Sequence, residues 1–538
     1  MGVYVNPGNQ DFDRINGPDY IDKTGLIALM NTRISKSNNL VCISRPRRFG
    51  KSYAAKMLSA YYDCSCKSDV LFDDKIIANT KDYHKYMNKY NVIYLDISGF
   101  VSNAKIKEQP LKGIPKIIID TLTKEMQMIS SEFTDGSNFN DALVRYVNSS
   151  EGNKFVFIID EWDAMIRETK NDFDAQEAYL NLLRSWFKNN NFTTPVVAAA
   201  YMTGILPIKK DGSQSAISDF DEYSVMEPME FAEFFGFTED EVKALCSDNN
   251  ISFDTVKKWY DGYVLGSKRS MYNPFSVMSA VKTKKIRSFW KKTSAAEALM
   301  TYIDMDQKGL QDDIARLIAG ESIEVDIDSF QNDVETFTCK DDVLTLLIHL
   351  GYLTYEELSN SYDDRVMVGL AKIPNEEVRM EFEKLLRKSE HKELIALVQR
   401  SDQLLNDTLA GNELSVAKAI QEVHDSVYSP TFYNNEQSLR SVIRMAYISC
   451  VDQYAKIEEL PSGHGNADVV FIPKIRSTLP ALVIELKWNK YSEGAISQIL
   501  DKNYSAIPVE FSGEVILVGI SYDEKTKQHL CSIKKIIK

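Results

Sequence analysis

Three short stretches of this chain carry residue types that do chemistry in combination. The first is Arg45-Pro46-Arg47-Arg48-Phe49-Gly50-Lys51-Ser52. It lies between an apolar run, Leu40 to Ser44, and an amphipathic stretch from Lys51 to Tyr62. A glycine followed by Lys-Ser at a strand-to-helix turn is the ending of a phosphate-binding loop, G-x-x-x-x-G-K-[ST]. Gly50 lets the backbone turn its N–H groups toward phosphate oxygens, Lys51 reaches the β/γ oxygens, and Ser52 offers a hydroxyl to Mg²⁺. The helix N-terminus adds a partial positive charge. The first glycine of the pattern is replaced by Arg45.

The second stretch, Phe155 to Glu161, is an apolar strand ending in Asp160 and Glu161. Paired with a phosphate loop, Asp160 is expected to hold the Mg²⁺ and Glu161 to orient and deprotonate the attacking water. Another strand runs Pro195 to Met202 and ends in Thr203-Gly204, which places the Thr203 side chain where a γ-phosphate is felt. Arg45, Arg47 and Arg48 concentrate positive charge on one short loop that Pro46 stiffens. They either face a triphosphate or pair with acids such as Asp163; the sequence leaves both open. It assigns no arginine finger, and Arg167 and Arg184 are merely nearby.

The third stretch lies near the C-terminus. Asp468 opens one strand and Ile484-Glu485-Leu486-Lys487 closes the next, with the two acids seventeen positions apart. Alternation along a strand puts Glu485 and Lys487 on one face and Leu486 on the other. Two acids converging on Mg²⁺ or Mn²⁺ would activate a bound water, with the lysine positioning it or stabilising charge on phosphorus. Upstream, Glu436 is placed to complete the acidic set. Downstream, Gln498 and Lys502 share one helix face at i, i+4.

These residues need a scaffold. Residues 1–235 alternate buried-looking strands with helices, the pattern of an α/β layer with a parallel sheet. Residues 236–425 read as mostly helical, with Gly351-Tyr-Leu-Thr-Tyr as a short strand of a winged-helix-like unit. Residues 426–538 return to a small α/β module.

The phosphate loop, Ile159-Asp-Glu-Trp-Asp163 and Thr203-Gly204 resemble the AAA-ATPase-like domain, itself similar to STAND-type P-loop ATPases. So do Tyr20 to Thr24, Phe237 to Val242, Trp259 to Tyr263, Tyr272 to Ser276 and Gly351 to Thr354. In that family Arg-Pro-Arg-Arg regularly replaces the first glycine. The C-terminal module resembles the PD-(D/E)XK nuclease fold often fused behind such a domain. That resemblance matches Glu436 to the helix acid, Asp468 to the D, and Glu485 with Lys487 to E-x-K. Gln498 and Lys502 match its Q-x-x-x-K helix. His464 and Asn466 stand where relatives carry Arg before the Asp, which weakens an expected phosphate contact. The expected function is an ATP-binding and ATP-hydrolysing protein that controls metal-dependent cleavage of DNA. The alternative is an ATP-gated sensor or DNA-binding regulator whose nuclease-like domain does not cut.

Composition bounds these readings. The 538 residues carry 63 basic and 77 acidic side chains, a net charge of -14, which excludes a uniformly basic nucleic-acid coat but not local patches. Seven scattered cysteines point to a reducing cytoplasm, and Cys64 with Cys66 lack a second ligand pair of zinc spacing. Neither a signal peptide nor a membrane-spanning run is expected. An oligomer is compatible with the sequence but not deducible from it. A basic run around Phe289-Trp290, Lys282 to Lys292, is read as a solvated face, with DNA backbone contact as the alternative. Phe234-Phe235 and Trp259-Tyr260 are read as core, and His84, His349, His391, His424 and His529 receive no role.

Overall fold

The computed structural model describes residues 2–134, 136–149, 152–169, 172–208, 217, 219–290, 309–318, 322–327, 330, 337, 339–358, 368–386, 392–427, 439, 442–443, 446–448, 450, 454–462, 465–473, 479–489 and 513–537. Between 383 and 398, between 455 and 468, and at 311, 312 and 315, the description is of the backbone.

Five strands form the first sheet: β1 (Leu40–Ser44), β2 (Asn91–Asp96), β3 (Phe155–Asp160), β4 (Val197–Gly204) and β5 (Asp221–Tyr223), in the order β2-β3-β4-β1-β5. Every pairing is parallel. β1, β3 and β4 are buried along their whole length, because helices cover both faces of the sheet. The two layers of core are separate. Cys42, Leu95 and Phe157 pack on one side with Trp186, while Val41, Ile43 and Ile158 pack on the other with Leu58 and Tyr61. Alternating side chains of the same strands thus supply both layers.

Contacts within the chain gather it into two compact units, the first of which takes in much of the middle region. One is Met1–Tyr302 with Glu324–Met380; the other is Ile303–Ile323 with Glu381–Lys538. The reason is packing. Much of the helical middle region docks on the phosphate loop: Gly236 N–H donates to Phe49 O at 3.0 Å, and the Phe49 ring meets Tyr263 edge-on at 5.0 Å. The first unit also carries the hairpin β6 (Tyr263–Leu265) and β7 (Lys268–Met271). The strand expected after Gly351 is present as β9 (Thr354–Glu357), pairing antiparallel with β10 (Val368–Lys372) in a three-stranded sheet with β8 (Ile323–Asp326). Gly351 ends the helix Lys340–Leu350 at φ 85°, and a Cβ there would stand 2.7 Å from Pro46 Cβ. Glycine is needed at that position twice over, for the left-handed turn and for the approach of the loop.

The second unit holds a five-stranded mixed sheet, β11 (Tyr454–Ser462), β12 (Gly465–Pro473), β13 (Ala481–Trp488), β14 (Glu514–Asp523) and β15 (Gln528–Ile537), in that order. Only β13 and β14 run parallel. The helix Glu413–Val427 lies along β15. Among the described residues no helix is long and apolar enough to cross a membrane.

Candidate active sites

The parallel sheet brings the N-terminal candidates to one edge. β1 delivers the phosphate loop, and its neighbour β4 pairs Thr203 with Ile43 on one side and with Asp160 on the other. Loops following the carboxyl ends of adjacent parallel strands are where such sheets bind ligands. Gly50 caps the helix Lys51–Tyr62 at φ 94°, a left-handed conformation that costs a side-chain-bearing residue about 1 kcal/mol or more. Beside it Arg48 also sits at positive φ, 70°.

Lys51 is buried, and its ammonium donates to the carbonyls of Arg45 and Pro46, both at 3.0 Å. Burial lowers its pKa, and the carboxylates of Glu161, Asp163 and Asp160 oppose that shift. The lysine is therefore held inside the loop where phosphate oxygens would replace the two carbonyls.

Asp160 is almost fully buried at the end of β3, with Oδ1 making no hydrogen bond and Oδ2 reached by Tyr94 Oη at 3.4 Å. Burial raises its pKa to about 6, while the neighbouring Ser52 hydroxyl favours the charged form. A buried carboxylate oxygen with no partner, beside a hydroxyl, suits a divalent cation. A pH dependence follows. The folded protein binds the Asp160 proton more tightly than the unfolded chain, so this residue's contribution to stability falls as pH rises from about 4 to about 6. Cation-assisted nucleotide binding needs the ionised form and is expected to strengthen as pH rises through about 6. Titrating a fluorescent ATP analogue with Mg²⁺ at pH 5.5 and pH 7.5 checks this, and Asp160→Asn should remove the difference.

Glu161 follows at φ 53°, the left-handed region that non-glycine residues rarely occupy and that clusters at functional positions. Its carboxylate is ion-paired with Arg167 of the short helix Ala164–Glu168. Arg167 Nε also donates to Asp163 Oδ2 at 3.0 Å. That same oxygen accepts the backbone N–H groups of Ile205 and Leu206, at 3.1 and 3.0 Å, just past Thr203-Gly204. Asp163 and Glu161 outweigh the burial of Arg167 and raise its pKa.

A cavity of about 1080 Å³ opens over this edge. Arg47, Arg48, Phe49, Gly50, Lys51, Ser52 and Glu161 line it. Its other walls include Tyr20, Ile21, Phe237, Phe275 and Met278. The volume is in the range of small-molecule sites, with an apolar end and a cationic end.

Four expected contact residues stand outside that lining: Arg45, Pro46, Asp160 and Thr203. Arg45 is corrected outright. Its guanidinium is fully buried and donates to the carbonyls of Ser44, Tyr223 and Ser224 at 2.9, 2.7 and 2.7 Å, with Phe235 beneath it. It anchors the base of the loop to the strand β5, because those carbonyls offer a desolvated cation acceptors that solvent no longer supplies. Asp163 pairs with Arg167 and with none of the loop arginines that sequence offered it. Arg48 spans to the helical region, donating to Phe289 O at 3.1 Å and stacking over Phe275 at 4.3 Å. Lys282 is exposed, as expected of a solvated face, and also borders the cavity. Arg184 pairs with Glu177 at 2.8 Å.

The residue that sequence reasoning missed is Arg167. Its signal was there, since Asp163 and Arg167 lie at i, i+4 on one helix and Glu161 lies just upstream.

In the second unit Glu485 and Lys487 are buried on one face of β13, Nζ to Oε1 3.4 Å, and Leu486 is buried on the other. The antiparallel register pairs Val469 with Ile484, the residues next to Asp468 and Glu485 in sequence. The Asp468 side chain, Glu436, Gln498 and Lys502 lie outside the described residues. Among the described residues no group of three His, Cys, Asp or Glu side chains is arranged to hold a metal.

Residues 7–213 match the family model described as a predicted AAA-ATPase. The match takes in β1 to β4, the phosphate loop, Asp160 and Glu161. The N-terminal part of the chain is thus similar to an AAA-ATPase-like P-loop domain. No curated protein matches the chain. Among solved structures, the replication initiator DnaA bound to AMPPCP and single-stranded DNA is 10% identical, covering 72% of this chain and 90% of its own, with a TM-score of 0.27. The Aeropyrum pernix ORC2 protein in ADPNP–ADP complexes is 12% identical, covering 70% and 97%, with a TM-score of 0.29. Similarity at that level carries no argument about this chain beyond the ATPase-like domain already matched.

Proposed function

We propose that the ATPase-like domain hydrolyses ATP and that its cycle controls metal-dependent cleavage of DNA by the C-terminal unit. The observation that carries the first half is the convergence of Lys51, Ser52, Asp160 and Glu161 at one sheet edge below a cavity of about 1080 Å³. Ser52 and Asp160 would hold Mg²⁺, which neutralises charge on the β and γ phosphates. Lys51 and the loop N–H groups bind the phosphates, with Arg47 and Arg48 beside them. Glu161 takes a proton from the attacking water as its oxygen bonds to the γ-phosphorus. The bond from that phosphorus to the bridging oxygen breaks, and ADP and phosphate leave. Thr203, one strand over from Asp160, would respond to the γ-phosphate through that neighbour.

The second half is supported by the pairing of Val469 with Ile484, next to Asp468 and Glu485 in sequence, and by Lys487 beside Glu485 on one strand face. Asp468, Glu485 and Glu436 would hold Mg²⁺ or Mn²⁺, which lowers the pKa of a water. Lys487 and Gln498 would orient that water and stabilise charge on the phosphorus. A second reading is favoured by the direct pairing of Lys487 with Glu485, which occupies the carboxylate a metal needs. Under it, the unit binds DNA without cutting, and ATP gates the binding.

One assay decides between them. Single- and double-stranded DNA are incubated with the full chain and Mg²⁺ or Mn²⁺, with ATP, ADP or neither, and resolved on gels. Metal-dependent fragments lost in Asp468→Ala support cleavage. ATP-sensitive band shifts without fragments under either metal support the regulator.

A further inference from the structure

Arg167 stands between the two halves of a hydrolytic site. It lines the same cavity as Lys51, Ser52 and Glu161, on the side of the sheet edge where the phosphates would lie. Two of its donors are engaged with carboxylates. Nη2 is paired with Glu161, and Nε with Asp163 at 3.0 Å.

The two carboxylates are not equivalent. Asp163 is fully buried and fixed by the amides of Ile205 and Leu206. Glu161 is partly exposed and borders the cavity. The guanidinium is therefore anchored at Nε and free to exchange at its tip. A triphosphate terminus accepts the same two parallel hydrogen bonds as a carboxylate but carries more charge, and Glu161 is already shared with solvent.

We propose that Arg167 exchanges its Glu161 ion pair for the terminal phosphate of bound ATP, pivoting on Asp163. While it holds Glu161, the carboxylate is engaged with a cation and is not available to take a proton from water. Once Arg167 moves to the phosphate, Glu161 is released and charge developing on the γ-phosphoryl oxygens is stabilised by a residue of the same chain. The exchange also reaches β4, because Asp163 ties Arg167 to the segment after Thr203. This inference rests on the ATPase reading and adds the means by which hydrolysis waits for a triphosphate.

The test compares a fluorescent, non-hydrolysable ATP analogue with fluorescent ADP on the full chain, alongside single-turnover ATP hydrolysis. The unmodified protein is expected to prefer the triphosphate. Arg167→Ala should weaken triphosphate binding about tenfold, leave ADP affinity within about threefold and slow hydrolysis about a thousandfold. Arg167→Lys, which keeps the charge and the Asp163 anchor, should restore the fold but only part of the rate, since an ammonium lacks the planar fork. Glu161→Gln should tighten triphosphate binding severalfold by freeing Arg167, and the gain should vanish in the Glu161→Gln, Arg167→Ala double variant. A purely structural Arg167 would move ADP and triphosphate affinities together. Retained triphosphate preference in Arg167→Ala, or no gain in Glu161→Gln, overturns the exchange. Binding of neither nucleotide by the unmodified protein overturns the ATPase reading itself.

Discussion

Lys51→Ala is expected to weaken ATP binding at least about a hundredfold and to bring ATP turnover to background. The ammonium is buried and already bonds to two carbonyls of the loop. Its removal leaves the Arg45 and Pro46 carbonyls without that donor, so a modest loss of thermal stability should accompany the loss of binding. Titration of a fluorescent ATP analogue separates the two effects when read beside a melting curve. A variant that melts near the unmodified protein yet still binds ATP would remove the phosphate loop from the account. Lys51→Arg is a useful companion, because it keeps the charge but carries a larger head than the buried space allows. It should bind poorly as well.

Lys487→Ala is expected to reduce DNA cleavage at least about a thousandfold while leaving ATP turnover within about twofold. Lys487 is one of two buried ionisable groups on the inner face of β13, and its partner Glu485 is the carboxylate that would meet the metal. Removing the cation leaves Glu485 buried without it, so the C-terminal unit should melt earlier. Lys487→Arg retains the charge and controls for that loss; it should be stable and still cut poorly. Gel assays with Mg²⁺ and with Mn²⁺, run beside an ATPase assay, check both halves. Cleavage that survives in Lys487→Ala would eliminate the E-x-K chemistry, and ATP turnover that falls with it would mean that the substitution damages more than the second unit.

Much of the ATPase-like domain was legible because its determinants are local. A left-handed turn before Lys51 calls for glycine, and an apolar run that stops at two acids announces a buried strand with a polar end. Such features need only a few neighbouring residues. The strands β1, β3 and β4 were equally plain, since strands covered on both faces cannot alternate with polar residues. In the second unit, period-two alternation was enough to set Glu485 and Lys487 together and Leu486 apart.

Other features depend on partners distant in the chain. Arg45 belongs to a cationic octapeptide, and its neighbours do face the cavity. It turns inward because the carbonyls of Tyr223 and Ser224, nearly 180 residues on, accept its hydrogen bonds. The gathering of much of the middle region into the first unit has the same origin. Hydrophobic periodicity marks helices, but not which surface their apolar faces cover. Phe237, Phe275 and Met278 became walls of the nucleotide cavity only through that choice.

By itself, then, the sequence determined the residue types that meet phosphate, the strand ends that carry Asp160 and Glu161, and the E-x-K face of β13. Tertiary structure alone decided which cations are spent on holding the fold and which remain over the cavity. The reason is physical: backbone conformation and strand alternation are set by near neighbours, whereas a guanidinium goes wherever desolvated acceptors converge. Arg45 found carbonyls in the core, and Arg167 found Glu161 and Asp163 at the site.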